Sequence, residues 1–303
     1  MSSTTWIAEE LLSNTRRRAG VCWRAVEAQH INSTMKLVSS SQEQDRLEQL
    51  LEDSKPPYPH ECAGLHYLLF TPFRYKPHTR GSRFRRAGQI DGVFYASEHP
   101  HTVLAEKAYY SLLFYAESPR TPLPDNPVQH TVFSVRYKTN KALDLTAPPL
   151  NADEKVWKDP ADYTACQQLA DEARTAHIHL ITSVSVRCPN HGKNISLLSC
   201  AAFGSKKPGH IQTWHLAVQL KEVVAIKEFP REKLTFAIAD VVPTLTLSNP
   251  LQNAQSSHQT SFQRPYPPNE KKEDDSSAHG IHDDAVQDAP PGDRTGSRAA
   301  SLT

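Results

Sequence analysis

Glycine is scarce in this chain, and the motifs that depend on it are missing. Only 11 of the 303 residues are glycine. Neither the G-x-G-x-x-G fingerprint of dinucleotide-binding folds nor the G-x-x-x-x-G-K-[ST] phosphate loop occurs. The H-E-x-x-H and G-x-S-x-G motifs are also absent. Rossmann dehydrogenases, P-loop NTPases, zincins and α/β-hydrolases therefore lack their signatures here.

The chain also lacks the features of a membrane, secreted or polyanion-binding protein. Its apolar runs are interrupted by charge well before bilayer length, and its N-terminus has no apolar core followed by a cleavage site. The formal net charge is only +1, so the protein has no strong overall electrostatic field that would attract nucleic acid. The five cysteines, an odd number without regular spacing, fit reduced thiols better than a disulfide framework. These features predict a soluble, cytoplasmic protein.

The composition changes sharply near residue 248. From there to residue 303 the chain is rich in Ser, Gln, Asp and Pro and has few large aliphatic residues. Such a segment cannot bury enough apolar surface to offset the entropy of ordering it, so residues 248–303 are predicted to be a disordered tail. Residues 20–247 are predicted to form one folded domain, and residues 1–19 an N-terminal helical extension.

Hydrophobic periodicity predicts helices and short strands that do not alternate regularly. Helices are expected over residues 6–17, 42–53, 100–115 and 160–177. Strands are expected over residues 93–95, 131–137, 141–145, 178–186, 196–203, 214–219 and 222–226, although residues 216–227 also fit a helix. This distribution favours an α+β fold over a doubly wound parallel sheet.

Arginine, tyrosine and glutamate follow one another between residues 74 and 110 in an order that suits nucleotide chemistry. Arg74 and Arg83 precede the short strand that ends in Tyr95, and Glu106 follows on the next helix. Guanidinium groups bind phosphate, a tyrosine ring stacks on a base or orients a ribose, and a carboxylate stabilises a developing cation. These are the groups needed to break the nicotinamide–ribose bond of NAD.

Simpler interpretations stay open for the same residues. The arginines could form a solvated basic loop or contact RNA, although the near-neutral charge argues against nucleic acid as a direct partner. Glu106 lies among apolar helix positions and could serve a structural ion pair. Ser185 could be a strand-edge hydroxyl with no task. The residues around Cys62 and Cys188 do not supply four metal ligands at structural spacing, so no metal site is predicted.

Four short motifs, taken together, resemble the RES family, toxins named for Arg, Glu and Ser. The family pattern has an arginine in a G-S-R-F-like sequence, a strand that contains a tyrosine, a helix that contains a glutamate, and a later S-v-R segment followed by an asparagine. The matching segments are residues 81–84, 93–96, 104–106, 182–187 and Asn194. The resemblance covers roughly residues 20–230.

The resemblance implies a fold, an activity and a partner. It implies a single RES domain with a mixed β core flanked by helices, similar to ADP-ribosyltransferases of the diphtheria-toxin kind. It implies that NAD+ is consumed as a substrate, by hydrolysis, phosphorolysis or ADP-ribosyl transfer, with no cofactor and no metal. It further implies an Xre-like antitoxin that covers the active site and through which any contact with nucleic acid would run. The alternative is a non-catalytic module of the same fold that binds a nucleotide or a partner.

The resemblance also assigns site residues one by one. The catalytic candidates are Glu106, Tyr95 and Arg83. The NAD-binding candidates are Arg74, Tyr75, Arg83, Tyr95 and Ser185. The interval from Arg74 to Arg83 is short for the family, so Arg24 is a second candidate for the first family arginine. Asn194 is a further candidate for the substrate site.

Overall fold

The computed structural model describes residues 5–28, 37–74, 77, 79–118 and 120–241. The predictions for Tyr75 and for the tail over residues 248–303 lie outside these residues. Among the helices described, none is long and apolar enough to cross a membrane.

Eight strands within these residues form one mixed sheet, with helices packed around it. The strands are β1 (Arg16–Glu27), β2 (Phe94–Ser97), β3 (Val128–Asp144), β4 (Leu180–Val184), β5 (Lys193–Leu197), β6 (Ile211–Val218), β7 (Glu222–Lys227) and β8 (Glu232–Ala237). The helices are α1 (Ala8–Ser13), α2 (Ser41–Ser54), α3 (Tyr67–Phe70), α4 (Pro100–Glu117), α5 (Glu154–Trp157), α6 (Thr164–Thr175) and α7 (Ile238–Val241). The α+β prediction is confirmed.

Strand β3 organises the sheet because its two ends pair with different neighbours. The strand order is β1-β2-β5-β4-β3-β6-β7-β8. Residues 128–133 of β3 pair antiparallel with β6, whereas residues 142–144 pair parallel with β4. β1 runs antiparallel along the other side of β3 and meets β2 where Trp23 faces Ser97. The sheet therefore splits at β3, and β2, β5 and β4 form one part of it.

Helix α4 packs an apolar face against the β6–β8 part of the sheet. Leu104, Ala108 and Leu112 are fully buried there with Trp214, and their spacing of four residues is that of one helix face. Burial of each leucine stabilises the fold by about 1.5–3 kcal/mol. Glu106 is two positions beyond Leu104, a rotation of about 200° around the helix. The glutamate therefore lies on a different face from this apolar row.

The N-terminal segment differs from the helix predicted over residues 6–17. Helix α1 ends at Ser13 and β1 begins at Arg16. Leu11 of α1 is fully buried in the cluster that contains α6. The predicted boundary after residue 19 falls inside β1, so the helical part of this segment is limited to α1. Local periodicity missed β1 because the strand forms through pairing with residues 130–142, far away in the sequence.

The strands in the second half of the chain differ from the predicted ones in their boundaries. Residues 128–144 form one strand where two were expected, and β8 was not predicted. Residues 211–218 and 222–227 are neighbouring antiparallel strands, so the helical alternative for residues 216–227 is wrong. The extent of β3 is set by its pairing with β1, β4 and β6, which local periodicity does not show.

One pair of cysteines corrects the expectation that all five are reduced. Cys62, before α3, and Cys200, after β5, form a disulfide with their Cα atoms 5.3 Å apart. Cys22, Cys166 and Cys188 are free and buried. The two bonded residues are 138 positions apart, a separation at which spacing in the sequence carries no information about pairing.

Candidate active site

Glu106, near the start of α4, forms a cluster with Ser185 and Asn194. Ser185 Oγ and Asn194 Nδ2 both donate to Glu106 Oε1, each at 2.6 Å. Within the part of the chain that the structure describes, Glu106 Oε2 accepts no hydrogen bond. Two donors thus orient the half-buried carboxylate through one oxygen, and the other oxygen is left to interact with a ligand.

Ser185 and Asn194 reach Glu106 because the β4–β5 connection packs closely on α4. Asn194 lies on β5, and Ser185 directly follows β4. The Ser185 amide donates to the Gly192 carbonyl at 2.7 Å, which closes the connection. A Cβ atom at Gly192 would lie 2.1 Å from Thr102 Oγ1 of α4. Only glycine therefore allows the connection to approach the helix that carries Glu106.

A second set of hydrogen bonds fixes the orientation of both donors. Ser97 Oγ, on β2, donates to Asn194 Oδ1 at 2.7 Å, so the amide nitrogen of Asn194 faces Glu106. Ser185 Oγ accepts from the backbone amides of Arg187 and Cys188 at 3.3 and 3.1 Å, so its proton is free to bond the carboxylate. Ser97 was not predicted, and its position at the end of the Tyr95 strand was the available signal.

Tyr95 positions the loop that carries Arg83. The Tyr95 hydroxyl lies 2.8 Å from Ser82 Oγ and accepts from the Phe84 amide at 3.0 Å. Burial raises the pKa of the Tyr95 hydroxyl above its usual value, and these two hydrogen bonds oppose that shift. Tyr95 is therefore a neutral phenol at physiological pH, and its hydroxyl holds the two residues on either side of Arg83.

Arg83 lies against the segment between α5 and α6. Its guanidinium donates to the Trp157 carbonyl at 2.7 Å and to the Asp159 carbonyl at 3.0 Å. Its Cζ atom lies 4.6 Å from the centroid of the Tyr163 ring. The arginine thus combines two neutral acceptors with a cation–π contact.

The two candidates for the first family arginine lie in different environments. Arg24 Nη1 on β1 donates to the Tyr95 carbonyl at 2.8 Å, and its Cζ atom lies 4.9 Å from the centroid of the Phe94 ring. Arg74 instead forms an ion pair with Glu52 of α2. Arg24 therefore binds the backbone of β2 from the sheet face of Phe94, which is opposite to the face that carries the Tyr95 side chain.

Arg187 and two tyrosines belong to this region but were not predicted as site residues. Arg187 Cζ lies 3.6 Å from the centroid of the Tyr109 ring. Its Nη2 donates to the Tyr163 hydroxyl at 3.3 Å and to the Pro160 carbonyl. Arg187 ends the S-V-R triplet that contains Ser185, so the motif itself was the overlooked signal.

Tyr110 lies on α4, four residues after Glu106, and about half of its surface is exposed. Burial of its hydroxyl nevertheless raises the pKa of Tyr110 well above its usual value, and Glu106, Tyr163 and Tyr95 raise it further. Among the described residues, no group of three or more His, Cys, Asp or Glu side chains could hold a metal ion.

Comparison with known proteins supports the motif assignment. The family model of the RES domain matches residues 58–219, more than half of the chain. The chain belongs to the RES domain family. The matched part of this RES domain contains Arg83, Tyr95, Glu106, Ser185 and Asn194, whereas Arg24 precedes it. The assignment to the RES family that was made from the sequence motifs is confirmed.

The RES fold of the chain is also similar to a solved structure. That structure is described as the crystal structure of the M.tuberculosis MbcT-MbcA toxin-antitoxin complex. The match has 11% sequence identity and a TM-score of 0.41, and it covers 68% of this chain and 92% of that chain. No curated protein matches this sequence.

Proposed function

We propose that this RES domain cleaves the nicotinamide–ribose bond of NAD+. The observation that supports this function is the Glu106 carboxylate, which is oriented by Ser185 and Asn194 through Oε1 alone. Cleavage of this bond develops positive charge on the ribose ring, and a fixed anion stabilises such charge without having to reorganise. RES domains resemble enzymes that consume NAD+, which makes this bond the natural target.

In the proposed reaction the bond between the anomeric carbon and the nicotinamide nitrogen breaks, and its electron pair moves to that nitrogen. Nicotinamide then leaves as a neutral molecule, so the reaction needs neither a metal nor a cofactor to neutralise a leaving group. Glu106 Oε2 binds a ribose hydroxyl and stabilises the oxocarbenium-like ribose. Water, phosphate or a protein side chain attacks the anomeric carbon and loses its proton. Ser185 keeps Glu106 in place during these steps.

The basic residues and Tyr95 have supporting tasks in this proposal. Arg83 binds the pyrophosphate, and Tyr95 holds the loop that carries Arg83. Arg74 fits the role of the first family arginine better than Arg24, because the RES family model covers Arg74 and Arg24 precedes it. Tyr75 keeps its proposed stacking role beside the nicotinamide riboside.

We further propose that this activity makes the protein the toxin of a toxin–antitoxin pair, with an Xre-like antitoxin as partner. NAD+ loss in the cytoplasm would then stop growth until the antitoxin covers the site. Induced expression of the chain alone should lower cellular NAD+ and arrest growth, whereas the Glu106→Gln variant should do neither. Growth arrest without NAD+ loss would contradict this mechanism of toxicity.

The direct test is to incubate purified protein with NAD+, with and without inorganic phosphate, and to measure NAD+ and nicotinamide. Release of free ADP-ribose without phosphate indicates hydrolysis. A requirement for phosphate, with a phosphorylated ADP-ribose product, indicates phosphorolysis. A mass increase of a protein indicates ADP-ribosyl transfer. If NAD+ remains intact under all these conditions, the protein is a non-catalytic module.

A further inference from the structure

Arg187 is a buried cation without an anionic partner. Its relative exposure is 5%, and its guanidinium contacts only neutral groups, namely the Tyr109 ring, the Tyr163 hydroxyl and the Pro160 carbonyl. In the described ranges no carboxylate lies within ion-pair distance of it. Arg18, Arg74 and Arg86 differ in this respect, since each forms an ion pair with a carboxylate.

An unpaired buried charge is costly, which makes the environment of Arg187 informative. Removing a charged group from water costs several kcal/mol unless an opposite charge compensates. A carbonyl, a phenol and an aromatic face recover only part of that cost. Fixed cations that lack an anion in the protein itself are typical of sites that bind an anionic ligand. The surroundings of Arg187 therefore point to an anion supplied from outside.

Arg83 is a second arginine that contacts mainly neutral groups, and it lies on the ring of Tyr163, the tyrosine whose hydroxyl contacts Arg187. It too is held by carbonyls and an aromatic ring; among the described residues no carboxylate lies at ion-pair distance, although Asp159 interacts with Arg83 electrostatically from farther away. The Tyr163 ring faces Arg83, and the Tyr163 hydroxyl faces Arg187. Two guanidinium groups are thus separated by about the length of one phenol side chain. Such a pair can bind two linked phosphates, one arginine for each.

We propose that Arg187, together with Arg83, binds the pyrophosphate of the dinucleotide substrate. This inference rests on the proposed NAD+ chemistry and gives Arg187 the second phosphate contact that sequence reasoning assigned to Arg74. The Arg187 amide donates to Ser185 Oγ, so the pyrophosphate lies next to the serine that orients Glu106. The reactive ribose is then placed at the carboxylate by the phosphates bonded to it.

The same contacts define what changes when the substrate binds. Phosphate oxygens are charged acceptors and bond a guanidinium more strongly than a neutral carbonyl or phenol does. The pyrophosphate therefore replaces the carbonyl contacts that Arg83 and Arg187 make with residues 157–163.

The test compares two ligands that differ in phosphate content, using the full-length chain with Glu106→Gln to prevent turnover. ADP-ribose carries the pyrophosphate, and nicotinamide riboside carries none. Arg187→Lys should weaken ADP-ribose binding in calorimetric titrations by about ten- to a hundredfold and leave nicotinamide riboside binding within about twofold. Arg86→Lys is the matched control, because Arg86 is an exposed arginine of the Arg83 loop that pairs with Asp171. It should leave both affinities unchanged.

A purely structural role for Arg187 gives a different result. Loss of structure would weaken the binding of both ligands alike. Either that outcome or an unchanged affinity for ADP-ribose overturns the inference. If Arg187→Lys does not fold, Arg187→Gln keeps a planar group that can stack on Tyr109 and donate to the Pro160 carbonyl. The same selective loss is expected from it. Failure of wild-type protein to release nicotinamide would refute the proposed function, while the ratio of the two affinities would still decide the role of Arg187.

Discussion

Replacing Glu106 by glutamine isolates the charge of the carboxylate from its geometry. Oε1 already accepts both hydrogen bonds, from Ser185 and Asn194 at 2.6 Å each. A glutamine amide oxygen can occupy the same position and accept the same two bonds. Its NH2 group then takes the place of Oε2, the oxygen that is proposed to bind the ribose hydroxyl. The fold and the two supporting contacts are therefore retained, while the negative charge and the acceptor at Oε2 are lost.

The expected effect follows from the size of a single electrostatic contact in a transition state. Removing one such partner costs about 2.7–4 kcal/mol, which corresponds to roughly a hundred- to a thousandfold loss of rate. Because the charge matters most when the ribose becomes cationic, the loss should appear in kcat. NAD+ affinity should change much less. Thermal stability should stay close to wild type, since the half-buried glutamate makes no ion pair in the described structure.

The assay is nicotinamide release at saturating NAD+, together with a thermal unfolding curve for each protein. Glu117→Gln serves as a control because Glu117 also lies on α4 but forms an exposed ion pair with Arg80. It should retain wild-type turnover. If folded Glu106→Gln released nicotinamide as fast as wild type, Glu106 would not be the catalytic carboxylate. A rate loss that is matched in Glu117→Gln would point to a defect of α4 and not of the site.

Four other outcomes test the binding residues, one buried carboxylate and the tail. Arg83→Lys should weaken NAD+ binding by about 1.5–3 kcal/mol, because an ammonium cannot present a planar fork to two phosphate oxygens; equal affinities in calorimetric titrations would remove Arg83 from the site. Arg74→Gln should weaken NAD+ binding more than Arg24→Gln, since the RES family model covers Arg74 and not Arg24; the reverse order would make Arg24 the first family arginine. Burial would raise the pKa of Asp144, but hydrogen bonds in its own turn and a nearby guanidinium outweigh burial and lower that pKa. Its stabilisation is therefore present above the unfolded pKa of about 3.9 and is lost as the pH falls through the lower folded value. Urea unfolding of Asp144→Asn should accordingly show a deficit at pH 7 that shrinks below about pH 3.9, and a constant deficit would contradict this. Truncation after residue 250 should leave the melting temperature and NAD+ turnover nearly unchanged, because the tail is poor in large aliphatic residues; a large drop in melting temperature would show that it packs on the domain.

Short-range sequence patterns were sufficient to predict the strand–helix unit that carries the candidate catalytic residues. The strand of Tyr95 and the helix of Glu106 follow each other directly, and each has local signals, namely an apolar run and a helical stripe that begins at Pro100. The RES motifs added Arg83 and Ser185 through their order in the chain. These predictions depend on interactions between neighbours in the sequence, which the sequence itself displays.

Only the tertiary structure determined which of these residues meet. The contact of Glu106 with Ser185 and Asn194 depends on the β4–β5 connection packing against α4, and the pairing of Arg74 with Glu52 depends on where α2 lies. Strand β1, the disulfide and the position of Arg187 between Tyr109 and Tyr163 likewise join distant segments. Residue type and spacing indicate which groups are available to bind the phosphates and the ribose and to stabilise the cation that develops on the ribose. Long-range pairing and packing decide which of them face one another, because those interactions have no local periodicity from which they could be predicted.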